Sequence, residues 1–482
     1  MKESLSKMRG AVSSLFLIGL LVVAAAPVWA GSLDQRINAL EDELAQLKAD
    51  QQDVKKEQME LKQDALAAKA AMPKFSYRKG SGLRINAADK SWGLRIRARW
   101  HYRLMFWDED AIASEDFSQG EIRLRRLRQR FNYFWNNGFY ELDIENTQGN
   151  DRGIEVQHGE FRVHFEKMNP YLPQLVIGPR VSTFFNKHDT NWSSSTGGLF
   201  DRSMFQDGAG IGAGSQNNAI GLFWSRIKIG SGRMRFQAIY SNQGLTNLAD
   251  QDRPETDKKA LHLAFHIEPF RKSKNKWLKG IDLGIGYQLD RIHPGESGRS
   301  FFRVRTTERT RLRLIELSSD LDPTSGRTYV TPGFGWKIGP YWLRTSLAWN
   351  RGDLETTGDV KGRMFKIVHE LFIWSPKGFL TGTTSRPGSL MFFTGFERDD
   401  YDADNNGLRN CGPGGSSCES AYAYNFNIGA WYFIQRRLRV GFEFSRYTVN
   451  KIGRGASSLE GVSSGDKDVD FNSFDLGITF DF

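Results

Sequence analysis

The chain has 482 residues and a formal net charge of +10, and 39% of its residues are hydrophobic. That hydrophobic fraction is low for a protein with a large apolar core, which argues against a water-soluble sandwich of this length. Residues 31–71 carry six Lys and Arg against nine Asp and Glu. The positive charge therefore belongs to residues 72–482.

The N-terminus has the pattern of a secretory signal peptide over residues 1–30. Lys2, Lys7 and Arg9 precede an apolar run that ends near Ala26, and Val28-Trp29-Ala30 fits a cleavage site with small residues at its ends. No later segment reaches about 18 consecutive apolar residues, so the sequence predicts no membrane-spanning helix after cleavage. A secreted chain without such a helix can still cross a bilayer as a closed β-barrel.

Residues 31–71 form a separate segment with the seven-residue pattern of a coiled coil. Its seam contains Leu33, Ile37, Leu40, Leu44, Leu47, Gln51, Val54, Gln58, Leu61, Ala65 and Ala68. Their alternating three- and four-residue spacing covers about five heptads, enough to predict a periplasmic coiled coil and therefore an oligomer. The alternative is a lone amphipathic helix on the rim of the barrel.

The stretch from Leu94 to Trp107, LRIRARWHYRLMFW, alternates apolar or aromatic residues with a run of arginines. A period of two indicates a β-strand with two different faces. In a transmembrane barrel the apolar face meets lipid and the arginine face meets a water-filled lumen. The sequence therefore predicts an all-β transmembrane barrel over residues 72–482.

Sixteen antiparallel strands can be counted from the turn signals, with a margin of two. They begin near Leu94, Glu121, Gly138, Ile154, Gln174, Asn218, Arg233, Lys258, Gly280, Thr328, Tyr341, Gly362, Ser389, Ala421, Arg437 and Phe471. Short turns alternate with long polar loops, as in bacterial outer-membrane barrels. The last strand alternates strictly and ends on Phe482, so we expect the outer-membrane barrel-assembly machinery to recognise this strand.

The first hairpin turns at Asn137-Gly138, a dipeptide favoured in type I′ turns, which fixes its register. This register brings acids of one strand opposite arginines of the other in the lumen, and it makes Glu141, Asp143 and Glu145 candidate counter-charges. Arg126 breaks the alternation, which predicts a β-bulge.

The chain resembles the phosphate-selective porins of the O and P type over most of its length. The motifs that carry the resemblance are Gly178-Pro179-Arg180, Asp201-Arg202-Ser203, Phe379-Leu380-Thr381-Gly382, and Ala430-Trp431-Tyr432 followed by Arg437-Leu438-Arg439. Thr383 stands where the family has a glutamate. The order of these motifs is more specific than any one of them.

The resemblance implies a homotrimer of sixteen-stranded barrels that conducts anions through a pore narrowed by an inward-folding third loop. The loop residues would be Ser193, Ser194, Ser195 and Thr196. Arg180 and Arg202 would bracket the loop, and its hydroxyl groups would replace part of an anion's hydration shell.

The lumen arginines are the candidate anion pathway. They are Arg95, Arg97, Arg99, Arg103, Arg123, Arg125, Arg128 and Arg130, with Arg180 and Arg202. Guanidinium groups stay charged and bind phosphate or carboxylate oxygens in a fork. We therefore expect an outer-membrane channel for passive diffusion of small anions, with phosphate as one candidate. The alternatives are a general, weakly selective porin and a trimeric envelope scaffold.

Other apparent sites are incomplete. Asp402, Asp404 and Asn406 follow the first half of a calcium loop, but position twelve is Pro413 instead of glutamate, so we predict no metal site. Cys411 and Cys418 are predicted to form a disulfide in an oxidising compartment. We find no convergent nucleophile, base and acid, and we expect no enzyme activity, no cofactor and no nucleic-acid partner. The expected partners are small anions and outer-membrane lipid.

Overall fold

The computed structural model describes most of the chain. The described residues are 33–78, 82–107, 120–149, 152–178, 181–182, 215–243, 260–290, 304–305, 313–315, 327–354, 358–381, 386–408, 417–435, 437–450 and 469–481. The predicted signal peptide, Phe482, and the predicted inward-folding third loop with Ser193, Ser194, Ser195 and Thr196 lie outside the described residues. The chain divides into two compact units, Met1–Met72 and Pro73–Phe482.

The described residues of the first unit form one long helix, α1 (Leu33–Ala71). The seam side chains that can be described are exposed in the single chain, with Leu40 56% and Leu61 61% exposed. The helix contains no proline or glycine, which is consistent with its uninterrupted length of 39 residues. None of the described helices is both long enough and apolar enough to cross a bilayer.

The described residues of the second unit lie mainly in strands, with a short helix α2 (Lys276–Lys279). The strands are β1 (Lys74–Arg78), β2 (Gly82–Asn86), β3 (Trp92–Trp107), β4 (Gly120–Trp135), β5 (Tyr140–Gly149), β6 (Arg152–His164), β7 (Gln174–Gly178), β8 (Val181–Ser182), β9 (Ser215–Ile229), β10 (Gly232–Gln243), β11 (Ala260–Glu268), β12 (Ile281–Asp290), β13 (Val304–Arg305), β14 (Arg313–Ile315), β15 (Arg327–Ile338), β16 (Tyr341–Leu354), β17 (Gly358–Ser375), β18 (Gly378–Phe379), β19 (Ser389–Ala403), β20 (Ser420–Gln435), β21 (Leu438–Val449) and β22 (Val469–Asp481).

Within the described residues, sixteen of these strands form a closed antiparallel barrel, which confirms the predicted fold class and count. The ring runs through β3, β4, β5, β6, β7 (continued by β8), β9, β10, β11, β12, β15, β16, β17, β19, β20, β21 and β22. It closes where β22 pairs with β3, from Ser473 opposite Trp107 to Asp481 opposite Arg99. Closure pairs both edges of the first and last barrel strands, β3 and β22, as a bilayer requires.

The burial pattern is inverted relative to a water-soluble protein. On β22, Phe474, Leu476 and Ile478 are 37%, 40% and 49% exposed, whereas Ser473 and Asp475 on the other face are buried. The apolar face therefore points outward and the polar face points into the barrel. This arrangement, together with closure, places the chain in the bacterial outer membrane.

Tight turns and long connections lie at opposite ends of the barrel. The turns after β9 and β15 have two residues each, 230–231 and 339–340, while the connection from β3 to β4 spans residues 108–119. We call these the turn end and the loop end. In outer-membrane barrels the short turns are periplasmic and the long loops extracellular.

The first hairpin confirms the predicted register, with Trp135 opposite Tyr140 and Arg130 opposite Glu145. Its turn is longer than the sequence predicts. It spans residues 136–139, because both asparagines before Gly138 adopt positive φ, and Gly138 N–H donates to the carbonyl oxygen of Trp135 at 3.0 Å. The register shift near Arg126 is the predicted bulge.

An additional hairpin, β1–β2, extends the sheet at the turn end and was not predicted. Leu83 of β2 pairs with Ile96 of β3, so β2 lies beyond the end of β22 on the same edge of β3. Gly82 permits this approach, because a Cβ atom there would lie 1.9 Å from the carbonyl oxygen of Ile96.

Candidate functional site: the arginine-lined wall of the lumen

The alternation of β3 and β4 sends their arginines to the same face of the sheet, the lumen face. Their register places like charges directly opposite each other, with Arg97 opposite Arg130 and Arg99 opposite Arg128. Directly opposed cations repel across a strand pair. Such a wall requires either carboxylates or a mobile anion to balance it.

Strand β5 supplies carboxylates to the arginines of β4. Arg130 binds Asp143 through two nitrogens, with its Nε 2.7 Å from Oδ1, and Asp143 is only 2% exposed. Arg128 Nη1 lies 3.1 Å from Glu145 Oε1. Fork geometry and burial make the pair of Arg130 and Asp143 a strong ionic contact. Asp143 and Glu145 therefore lie where a counter-charge role predicts.

Glu141, the third predicted counter-charge, contacts other groups. Its Oε2 lies 2.9 Å from His164 Nε2, and its Oε1 accepts a hydrogen bond from the amide of Asn132. His164 also contacts Glu166 at 2.8 Å. Glu141 thus belongs to a polar cluster toward the turn end and makes no ion pair with the arginines of β3 or β4 among the described residues.

Arg103 forms an ion pair where the barrel closes. Its Nη2 lies 3.5 Å from Asp475 Oδ2 on β22, and both side chains are almost completely buried. The contact joins residues 372 positions apart in the chain. Arg103 therefore contributes to the seam between the first and last strands.

Arg97 has a different environment from Arg103, Arg128 and Arg130. Within the described part of the chain no carboxylate lies within ion-pair distance of Arg97, and its buried Nε has no hydrogen-bond acceptor. Arg130 lies directly opposite Arg97, and Arg95 and Arg99 lie two positions away on the same face of β3. The nearby carboxylate of Asp143 is held by Arg130. Two cations about 6.6 Å apart repel by roughly 0.6 kcal/mol even in bulk water. An anion beside Arg97 would relieve that repulsion.

Strand β2 adds an arginine to this wall that the sequence analysis missed. Arg84 lies opposite Arg95, and Leu83-Arg84-Ile85 repeats the residues Leu94-Arg95-Ile96 with which it pairs. That repeated tripeptide is the signal that could have identified β2. We call Arg84, Arg95, Arg97 and Arg99 the arginine row.

A different sector of the lumen wall is richer in acids. Lys366 Nζ lies 3.9 Å from Glu397, Arg344 binds Glu370, and Asn427 donates to Glu443 at 2.7 Å. All of these side chains except Arg344 are 1% exposed or less, and Arg344 is 4% exposed. The lumen is therefore divided into a cationic sector around β3 and a mixed, pair-forming sector from β16 to β21.

Several predicted site residues cannot be placed. Arg123 and Arg125 lie on β4, but only their backbone is described, and Arg180, Arg202, Ser193–Thr196 and Cys411 lie outside the described residues. Cys418 is disulfide-bonded, and its pairing with Cys411 stays a prediction.

The incomplete calcium loop forms a short 3-10 turn at Asp404–Asn406. In the described ranges no three His, Cys, Asp or Glu side chains are grouped as metal ligands. His262 and His266 both face the lumen and are buried.

Comparison with known proteins identifies the fold and does not identify a family. No family model and no curated protein matches the chain. Among solved structures, OmpT, an outer membrane protein of Vibrio cholerae, is similar with 11% identity and a TM-score of 0.50, covering 81% of this chain and 98% of that one. A trimer form of the same protein is 12% identical with a TM-score of 0.50, and the match covers 81% of this chain and 100% of that one. An anion-selective porin from Comamonas acidovorans is 11% identical with a TM-score of 0.46, and the match covers 81% of this chain and 100% of that one.

Proposed function

We propose that the chain forms a water-filled channel through which small anions diffuse passively across the outer membrane. The observation that carries the proposal is Arg97, a lumen guanidinium that lies opposite Arg130 and between Arg95 and Arg99 on its own strand, without an ion-paired carboxylate in the described part of the chain. A guanidinium in this setting favours an incoming anion, because its charge is not already neutralised by the wall. The proposal assigns the chain no catalytic step.

The arginine row suits conduction better than tight binding. Arg95, Arg97 and Arg99 are spaced two residues apart along β3, so their guanidinium groups follow one another along the lumen wall. Weak sites in series allow an ion to enter and to leave, whereas one deep site would hold it. The resemblance to phosphate-selective porins makes inorganic phosphate the first solute to compare with chloride.

The main alternative is a general porin in which all lumen arginines serve as counter-charges. Arg128 and Arg130 behave in that way, because each is paired with an acid of β5. Recording single channels in planar bilayers under a KCl gradient, with and without added phosphate, separates the two proposals. A reversal potential with the sign expected for a cation-selective channel would refute the anion channel. Single-channel currents that do not change when phosphate is added would refute phosphate preference.

We also propose that three chains assemble through the helix α1. The support is the row of exposed apolar side chains at heptad spacing, including Leu40, Leu44 and Leu47, which water does not favour. Three chains, as opposed to two or four, follow from the family resemblance alone. A purely structural envelope scaffold would use the same assembly, so this feature does not separate a scaffold from a channel.

Light scattering of the detergent-purified protein should give the mass of three chains. Replacing Leu40 and Leu47 with Asp should lower the trimer fraction on dilution, because it places charges in the seam. Ala39→Asp with Ala45→Asp adds the same charge off the seam and should leave the trimer intact. A monomeric wild-type protein would contradict the assembly.

A further inference from the structure

The connection between β11 and β12, residues 269–280, is the most basic connection between barrel strands at the turn end. It contains five Lys and Arg and no Asp or Glu, and each of the other connections at this end has at most two basic residues. We call residues 269–280 the basic connection. Its basic side chains are all exposed, and they are Arg271, Lys272, Lys274, Lys276 and Lys279.

The described carboxylates leave most of this charge unneutralised. Arg271 Nε lies 3.6 Å from Glu268 Oε2 at the end of β11, and none of the four lysines forms an ion pair within the described part of the chain. The neighbouring turns on either side, residues 230–231 and 339–340, contain no charged residue. The loop end differs, because the exposed arginines of β16, β17 and β19 each lie within ion-pair distance of an aspartate.

Trp277 of α2 attaches the basic connection to the outward face of the barrel. Its ring stacks on that of Trp336 of β15, with centroids 5.5 Å apart, and Trp336 Nε1 donates to the carbonyl oxygen of Trp277 at 2.8 Å. Trp336 lies opposite Ile281 of β12, on the face that also carries Leu283 and Ile285, which are 43% and 45% exposed. The basic connection therefore meets the barrel on its lipid-facing side.

Backbone hydrogen bonds to both neighbouring hairpins hold the basic connection in place. Lys272 N–H donates to the carbonyl oxygen of Ser231 at 3.0 Å, and Lys337 N–H donates to that of Gly280 at 3.0 Å. Gly280 permits the second contact, because a Cβ atom there would lie 1.7 Å from the carbonyl oxygen of Lys337. A backbone fixed in this way loses little conformational entropy when a ligand binds.

The height of the basic connection in the membrane indicates what it meets. An apolar row crosses the outward face of β10, β11, β12 and β15 just before it, formed by Met234, Ile267, Leu283 and Phe334. Trp277, which is 61% exposed, lies where apolar residues give way to basic ones. Tryptophan is enriched at membrane–water interfaces, and the long apolar stem of lysine lets its ammonium group reach the headgroup layer. The turn end is the periplasmic end of an outer-membrane barrel.

The periplasmic leaflet of a bacterial outer membrane consists of phospholipids, which include anionic species. We propose that the basic connection binds the phosphate groups of anionic phospholipids in that leaflet, with Trp277 at the interface beside them. Unpaired lysines attract an anionic headgroup more strongly than a zwitterionic one, because the ammonium of a zwitterionic headgroup offsets the charge of its phosphate. This proposal uses the outer-membrane location and depends neither on the channel nor on the trimer.

The test is a titration of the detergent-purified full chain with dioleoyl-phosphatidylglycerol, followed by native mass spectrometry. Lys276→Gln with Lys279→Gln should weaken binding about 25-fold, since each basic residue near an anionic surface contributes about a factor of five. Lys361→Gln with Arg363→Gln removes the same charge from the outward face at the loop end and should bind like the wild type. Heat-modifiable mobility on gels verifies that each variant is folded.

Dioleoyl-phosphatidylcholine has the same acyl chains without net charge, and it should bind the wild type no better than phosphatidylglycerol binds the lysine variant. Equal binding of phosphatidylglycerol by wild type and lysine variant, or of both lipids by the wild type, would overturn the proposal. An equal loss of affinity in the loop-end variant would reduce the effect to net charge and would overturn it as well. Displacement of phosphatidylglycerol by an equimolar amount of inorganic phosphate would identify a site for soluble anions, which also contradicts a lipid site.

Discussion

Replacing Arg97 and Arg99 with Glu should shift the channel from anion preference toward cation preference. The double change removes two positive charges and adds two negative ones, so the net charge of the lumen falls by four units. In bulk water, the Coulomb energy between one unit charge on the wall and a monovalent permeating ion about 7 Å away is roughly 0.6 kcal/mol. After screening over a Debye length of about 10 Å, we expect a change of at least about tenfold in the anion-to-cation permeability ratio.

The measurement is the reversal potential under a KCl gradient, with a matched control. Arg271→Glu with Lys272→Glu makes the same change in net charge on an exposed connection outside the lumen, and should leave the reversal potential near its wild-type value. Lumen substitutions tune selectivity more than stability, so the lumen variant should still fold. A folded lumen variant with unchanged ion preference would favour the general porin.

Much of the barrel could be predicted because each strand carries its own signal. The two-residue period decides which side chains face lipid, and turn residues such as Gly339-Pro340 mark where strands end. The register of the first hairpin followed from the position of Asn137-Gly138, even though the turn itself has four residues. These features depend on neighbours close in sequence, which a single chain displays directly.

The additional hairpin β1–β2 was missed because its strands have only five residues each. A short strand carries too few alternating positions to be distinguished from a loop. Its role becomes visible only when Arg84 is placed opposite Arg95, in a sheet edge that also receives the last strand of the chain.

The balance of charge in the lumen could be predicted only in part. The pairing of Arg130 with an acid of β5 lies within one hairpin, so local register was sufficient. The pairing of Arg103 with Asp475 depends on closure of the ring, which brings together the two ends of the barrel sequence. Sequence alternation identifies arginines that face the lumen, but long-range pairing decides which of them keep an unneutralised charge.

The difference between paired and unpaired arginines leads to a second large effect, on stability. Replacing Arg130 with Met should reduce the free energy of unfolding by about 3 kcal/mol. The change leaves Asp143, which is 2% exposed, as a buried carboxylate without its fork partner. Breaking a buried ion pair from one side costs about 3–5 kcal/mol, and the partial exposure of Arg130 places this case at the lower end.

Arg97→Met should raise the free energy of unfolding or leave it unchanged. The change removes a cation that faces Arg130 and releases no ion-paired carboxylate in the described residues. Denaturant unfolding of the detergent-solubilised barrel, read from tryptophan fluorescence, compares the two variants directly. Adding Asp143→Leu to the Arg130 variant should recover part of the loss, because the buried carboxylate that has lost its fork partner is then removed as well. If Arg97→Met destabilises the barrel as much as Arg130→Met, Arg97 is held by the wall as a structural counter-charge. It would then no longer be available to an anion in transit, and the channel proposal would lose the residue on which it rests.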